Sequence, residues 1–118
     1  MATPNIVNVA TINAVNAAAA ITTSRAAAID VAADKVAKVN TILVCNIDGT
    51  NAAGVTIEVS IDNGSNFVAL AKLISVPALA TLSFLESPIY LDETDLLYFT
   101  ASANSDLTYF VSYELITD

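Results

Sequence analysis

The stretch Val55-Thr56-Ile57-Glu58-Val59-Ser60-Ile61-Asp62-Asn63-Gly64 decides the fold. Its apolar residues at 55, 57, 59 and 61 alternate with polar ones at 56, 58, 60 and 62, the period of a half-buried strand with one wet face. Asn63-Gly64 then supplies two residues that accept positive φ, which a tight hairpin turn demands. The return strand is predicted over 67–74, closed by Ser75-Val76-Pro77. Asn63-Gly64-Ser65 also has the form of a glycosylation sequon. The opening MATPNIVNV lacks the basic and then apolar pattern of a secretory leader, so the hairpin reading is preferred.

The same pattern extends in both directions. Upstream, residues 38–47 (KVNTILVCNI) form a β-branched run that ends at Asp48-Gly49-Thr50-Asn51, a turn signal. Downstream, short strands are predicted over 81–85 and 96–102, with Asn104-Ser105-Asp106 turning the chain again. The last strand places Leu107, Tyr109, Val111, Tyr113 and Leu115 on one face and Thr108, Phe110, Ser112, Glu114 and Ile116 on the other. Six strands in about eighty residues, with turn signals roughly every ten, predict an all-β fold, an antiparallel β-sandwich that is jelly-roll-like. No helical crossover of the kind parallel strands require is visible in this part of the chain.

The first third reads less sharply. Residues 1–24 carry no charged side chain and read as an extended N-terminal arm ahead of a sandwich domain over 25–118. Ala17 to Ala20 and Ala26 to Ala28 favour helix by propensity, with Ser24 as an N-cap. Ile21-Thr22-Thr23 and the alternation of Ala27, Ile29 and Val31 suit a strand, with Ala33-Asp34-Lys35 as a turn, and strand is the preferred reading. An arm this neutral and poor in large apolar groups has no core of its own. It makes sense laid along another chain by strand addition, with Ile6, Val7, Val9, Ile12 and Val15 as partner-binding residues. Arg25, the only guanidinium in the chain, reads either as an anchor for a carboxylate on a neighbouring subunit or as a solvated residue. On this reading, deleting residues 1–24 leaves a folded domain that no longer binds its partner.

Composition narrows the function. The chain has 118 residues, one domain's worth, for which a radius of gyration of roughly 13–14 Å is expected. Histidine is absent, which removes the usual general base and the commonest metal ligand. The single cysteine, Cys45, forms no internal disulfide and, in an apolar run, reads as a small buried hydrophobe. A net charge of −8, with nine acids and only Lys72 from Glu58 onward, is the wrong sign for nucleic acid. No apolar run approaches a membrane span.

Two clusters remain to be weighed. Asp92-Glu93-Thr94-Asp95 offers hard oxygen ligands of the kind Ca²⁺ prefers, but without EF-hand spacing it reads as an acidic loop. Adjacent carboxylates do not face each other across a cleft as glycosidase chemistry requires. Tyr90, Tyr98, Tyr109 and Tyr113 read as core edge or subunit interface, with a sugar-binding platform as the alternative. No catalytic residue, metal ligand or cofactor is expected.

The C-terminal two-thirds also carry a resemblance. Lys38-Val39-Asn40-Thr41-Ile42-Leu43-Val44-Cys45-Asn46-Ile47-Asp48-Gly49-Thr50-Asn51 resembles the opening of small β-sandwich virion proteins of tailed bacteriophages, in particular those of cyanobacteria and marine bacteria. Residues 70–77 (LAKLISVP), 88–95 (PIYLDETD), 100–107 (TASANSDL) and 111–114 (VSYE) fit the same type, so the resemblance spans roughly 36–116. It implies a virion structural protein made in the host cytoplasm. Within that class a small acidic β domain with an arm looks like a capsid decoration (cement) protein. Its implied partner is the major capsid protein, which it would clamp as a homotrimer on the capsid surface. A neck, tail or fibre component is the alternative, and a carbohydrate- or host-surface-binding module is the reading from a different class.

Overall fold

The computed structural model describes residues 9–118, in which nine strands form two antiparallel sheets packed face to face. In chain order they are β1 (Thr11–Ile21), β2 (Ala26–Asp30), β3 (Lys35–Asn46), β4 (Ala53–Ser60), β5 (Val68–Val76), β6 (Thr81–Ser83), β7 (Ile89–Leu91), β8 (Leu96–Ala101) and β9 (Leu107–Thr117). The first sheet runs β1-β9-β3-β6, with β7 beside β6 on the same edge of β3. The second runs β2-β8-β4-β5. The fold is therefore an all-β sandwich of jelly-roll type, as the strand pattern predicts.

The core lies between the sheets and consists mainly of β-branched residues. Ile42 and Val44 of β3, Val55 and Ile57 of β4, Leu97 and Phe99 of β8, and Leu107 and Val111 of β9 are all buried. The two faces assigned to β9 from sequence are those observed, with Tyr109, Tyr113 and Leu115 packed against the core. The radius of gyration is 14.7 Å, slightly above expectation, because β1, β3 and β9 run eleven or twelve residues and stretch the molecule to 50 Å along one axis.

The hairpin turns at Asn63-Gly64 as the sequence predicts, but β4 ends at Ser60, Ile61 stands exposed in the connection, and Thr56, Glu58 and Ser60 are buried where a wet face is expected. Asn63 and Gly64 have φ of 57° and 88°, and the Asp62 carboxylate accepts from both the backbone N–H and the side-chain amide of Asn66. At the other end of the sandwich, wholly buried Asn46 donates from Nδ2 to the carbonyls of Asn51 and Val76 and accepts from the Asp48 N–H. A lone Asn at the end of an apolar run is the trace this lock leaves in the sequence.

In the N-terminal third the preferred reading of strand holds, but the arm does not. Residues 17–21 are strand and belong to the sandwich itself. β1 pairs with β9 without a break from Thr11↔Thr117 to Ile21↔Leu107. The arm boundary at residue 24 is therefore corrected: Ile21 is buried in the core, and residues 11–21 are spoken for within their own chain. The physical reason is alternation. Asn13, Val15, Ala17, Ala19 and Ile21 fall opposite the inward residues of β9, so the small alanines cover Tyr109 and Val111 without crowding them. Deleting 1–24 would strip a strand from the sheet, so the expectation of a folded truncated domain is withdrawn. A three-residue strand, β7, also forms within the 88–95 stretch, where none is expected from the sequence.

Candidate interaction surfaces

Arg25 is used inside its own chain. It leaves the corner between β1 and β2, and its Nε donates to Glu58 Oε1 at 2.9 Å while the guanidinium lies 3.8 Å over the Phe67 ring. Phe67 in turn meets Tyr98 edge-on at 5.1 Å. Glu58 is nearly buried on the outer face of β4, and a carboxylate there needs a cation. The reading of Arg25 as an anchor for a neighbouring subunit is corrected on that ground. Nothing in the sequence links positions 25 and 58, which only sheet order brings together.

The tyrosines do not gather. Tyr98 belongs to the Arg25 cluster, Tyr109 stacks on Phe99 between the sheets at 4.5 Å, and Tyr113 is half-buried on the same inward face. Tyr90, opposite Lys38, is exposed on the outer face of the other sheet. Burial and the neighbouring Tyr113 hold the Tyr109 hydroxyl above its ordinary pKa.

The acidic loop is built from its own hydrogen bonds. Asp95 accepts from the Asp92 N–H, Asp92 from the Glu93 N–H, and Glu93 from the Asp34 N–H, all at 2.8 Å. The Thr94 N–H and Asp95 carbonyl also pair with Val31, so the loop fastens the β2–β3 turn. Burial, and to a lesser degree the Asp92 charge, push the Asp95 carboxyl above its ordinary value. Among the described residues, no group of three or more potential ligands converges as a metal site would require.

Apolar surface at two edge strands remains. Of the residues expected to bind a partner, Ile6 and Val7 lie outside the described residues. Val9 is half-buried just ahead of β1, Val15 is half-buried on its inner face, and Ile12 is 59% exposed on its outer face. Cys45 is only half-buried and opens, with Leu43 and Phe110, onto a shallow depression of about 570 Å³ above Ala18 and Ala20. The other edge was not anticipated as exposed. β5 and its surroundings leave Ile61, Val68, Leu70, Leu73, Ile74 and Leu79 in solvent. The sequence predicts only a return strand over 67–74, and its place at the end of the sheet is what exposes it.

Comparison with known proteins gives a likeness of fold. No family model matches the chain, and no curated protein matches it in sequence. Among solved structures, a subunit from work titled "Bacillus endospore appendages form a novel family of disulfide-linked pili" aligns over 91% of this chain and 87% of its own, with TM-score 0.55 and 16% identity. A chain of the T13 particle of the virus IBDV aligns over 92% of this chain but 32% of its own, with TM-score 0.51 and 8% identity. The chain thus shares a jelly-roll-like sandwich with subunits of a pilus and of a viral particle.

Proposed function

We propose that the chain is a virion structural protein, a capsid decoration subunit that clamps neighbouring subunits of the major capsid protein rather than catalysing a reaction. The observation that carries this reading is how the polar and apolar groups are spent. Arg25, Glu58, Asn46, Asp62 and the acids at 92–95 all serve the fold's own turns and edges, while large apolar side chains stand exposed, among them Ile12 of β1 and Val68, Leu70, Leu73 and Ile74 of β5. Exposed apolar side chains gathered on edge strands of a small domain are what a subunit presents to its neighbours. The fold shared with a pilus subunit and a viral particle protein supports the same class, as does the bacteriophage-type resemblance over 36–116.

In this reading the copies gather as trimers on the capsid surface where several capsid chains meet, and the net charge of −8 keeps free copies soluble and away from DNA. The contact residues are Ile6 and Val7, together with Val9 just ahead of β1, Ile12 on its outer face and Val15 on its inner face. The test is the copy number of the chain in purified particles, by quantitative mass spectrometry against the major capsid protein. A ratio near one to one supports decoration of the shell. A small fixed number per particle moves the chain to the neck, tail or fibres, and absence from the particle overturns the virion reading.

A further inference from the structure

Sheet edges are dangerous, and proteins blunt them with charges, prolines, bulges or very short strands. Three of the four edges here are blunted. β2 is five residues long, breaks register at Ala28 and ends on Asp30. The edge made by β6 and β7 consists of two three-residue pieces separated by a segment containing Glu86 and Pro88. β5 breaks register twice against β4, carries Lys72 and turns Leu73 into the left-handed region at φ 50°. β1 has none of these devices. Its eleven residues, TINAVNAAAAI, contain no charge and no proline, keep register with β9 throughout, and meet no strand on their other side among the described residues.

We infer that β1 is the surface on which a second copy of this chain docks, its β1 adding antiparallel to the first so that the two larger sheets become one. This deepens the structural-subunit reading by naming the contact between copies, and rests on that reading for its place in an assembly. Three features choose a second copy as the occupant. The first is charge: the molecule carries −8 overall, and β1 lies in its uncharged segment, so two copies meet there with least repulsion.

The second is register. Full overlap of eleven residues about a two-fold axis normal to the sheet sets Asn16 opposite Asn16 of the second copy, and Ile12 opposite Ala20. The exposed Ile12 then lands beside the depression formed by Ala18, Ala20, Leu43, Cys45 and Phe110, once from each copy. The third is that the inner side of the edge is also open. A second hollow of about 210 Å³, lined by Ala19, Ile21, Ala27, Phe99 and Tyr109, would be roofed by the added strand. An unpaired backbone with hollows for alternate side chains is the geometry of strand addition. Pairing of copies through β1 takes Ile12 for itself, so the capsid contact of the decoration reading would fall to the other residues assigned to it.

The test is sedimentation of the full chain across a wide concentration range, with Asn16→Lys, Asn16→Asp, Ile12→Ser and the β5 control Leu70→Lys. Circular dichroism and thermal melting confirm that each variant folds. The expected result is a wild-type monomer–dimer equilibrium that either charged variant weakens roughly tenfold or more. Mixing Asn16→Lys with Asn16→Asp restores pairing, Ile12→Ser weakens it, and Leu70→Lys leaves it unchanged. A chain that stays monomeric at every concentration overturns the inference, as does association lost in Leu70→Lys but kept in both Asn16 variants. Its failure is distinguishable from that of the decoration reading. A monomer found in many copies per particle defeats only the β1 contact, and a β1 dimer absent from the particle defeats only the virion role.

Discussion

β1 and β5 are both long edge strands of the same sandwich, and they treat solvent in opposite ways. β1 is regular, uncharged and built from small residues, with one side anchored by Ile21 in the core. β5 is apolar and bulky but broken: Leu73 is turned out at φ 50° where its N–H takes Thr56 Oγ1 as acceptor, leaving its side chain in water. An edge can thus be made safe by irregular backbone despite greasy side chains, or left open by regular backbone despite modest ones. What exposes a strand to partners is unbroken hydrogen-bonding geometry more than hydrophobicity.

The largest break in that comparison is to remove one edge altogether. Deleting residues 1–24 takes β1 with it and uncovers Leu107, Tyr109 and Val111. We expect a loss of roughly 5 kcal/mol or more, enough to unfold a domain of ordinary stability. Next, Ile21→Ala should cost about 2–5 kcal/mol by urea denaturation, since it opens a cavity at the end of β1. Leu70→Ala on β5 should fall within about 0.5 kcal/mol, and an equal cost for the two would erase the distinction between the edges.

Arg25→Ala tests the corner that joins the β1 edge to the second sheet. It strands Glu58 on a nearly buried site, for an expected loss of about 1–3 kcal/mol. Glu58→Gln in the same background should recover part of it. Leu79, beyond β5, is also held at φ 59° with its side chain exposed, so Leu79→Gly should raise the thermal midpoint by an amount worth about 1 kcal/mol.

The smallest effect is in pH. Hydrogen bonds, first that from the Asn66 side chain, hold Asp62 below its ordinary 3.8. The hairpin leading into β5 therefore keeps this contribution above the unfolded value and loses it as pH falls through the folded one. Asp95 runs the other way: with its folded value raised, it favours the fold below the unfolded pKa and loses that contribution as pH rises through the folded value. Asp62→Asn should flatten the acid limb of a stability–pH curve. Asp95→Asn, which keeps an acceptor for the Asp92 N–H, should give a slight gain at neutral pH that vanishes in acid.

Where the polypeptide's own alternation settled burial, the sequence was enough. The turn at Asn63-Gly64 and the two faces of β9 could be read from alternation, but the wet face expected of β4 could not, since Thr56, Glu58 and Ser60 are buried and Ile61 is exposed. β1 was harder: alanine favours helix by intrinsic propensity, and the four at 17–20 became strand because β9 offered them an edge to pair with. Strand order was invisible, and with it went the Arg25–Glu58 pair and the exposure of β5. Both depend on which strands are neighbours, a property of the assembled sheets and not of any local window. The residues proposed to bind a partner were legible only as a neutral stretch; the structure separates Ile12, which faces out, from Val15, which faces in.

The pairing of β1 with β9 also has a consequence in time. Of the nine described strands the ribosome makes β1 first, yet its hydrogen-bonding partner β9 is made last, and β3, which can pair with β6 and β7 earlier, meets its long neighbour only in that same strand. The larger sheet therefore cannot close around a growing chain, whereas the β4–β5 hairpin can form as soon as it appears. Until β9 arrives, a nascent chain carries β1 with both edges open, a state in which neighbouring copies on one messenger could pair prematurely. Folding dominated by such distant contacts is slow, and the lag between the first strand and the last sets how long that vulnerable interval lasts.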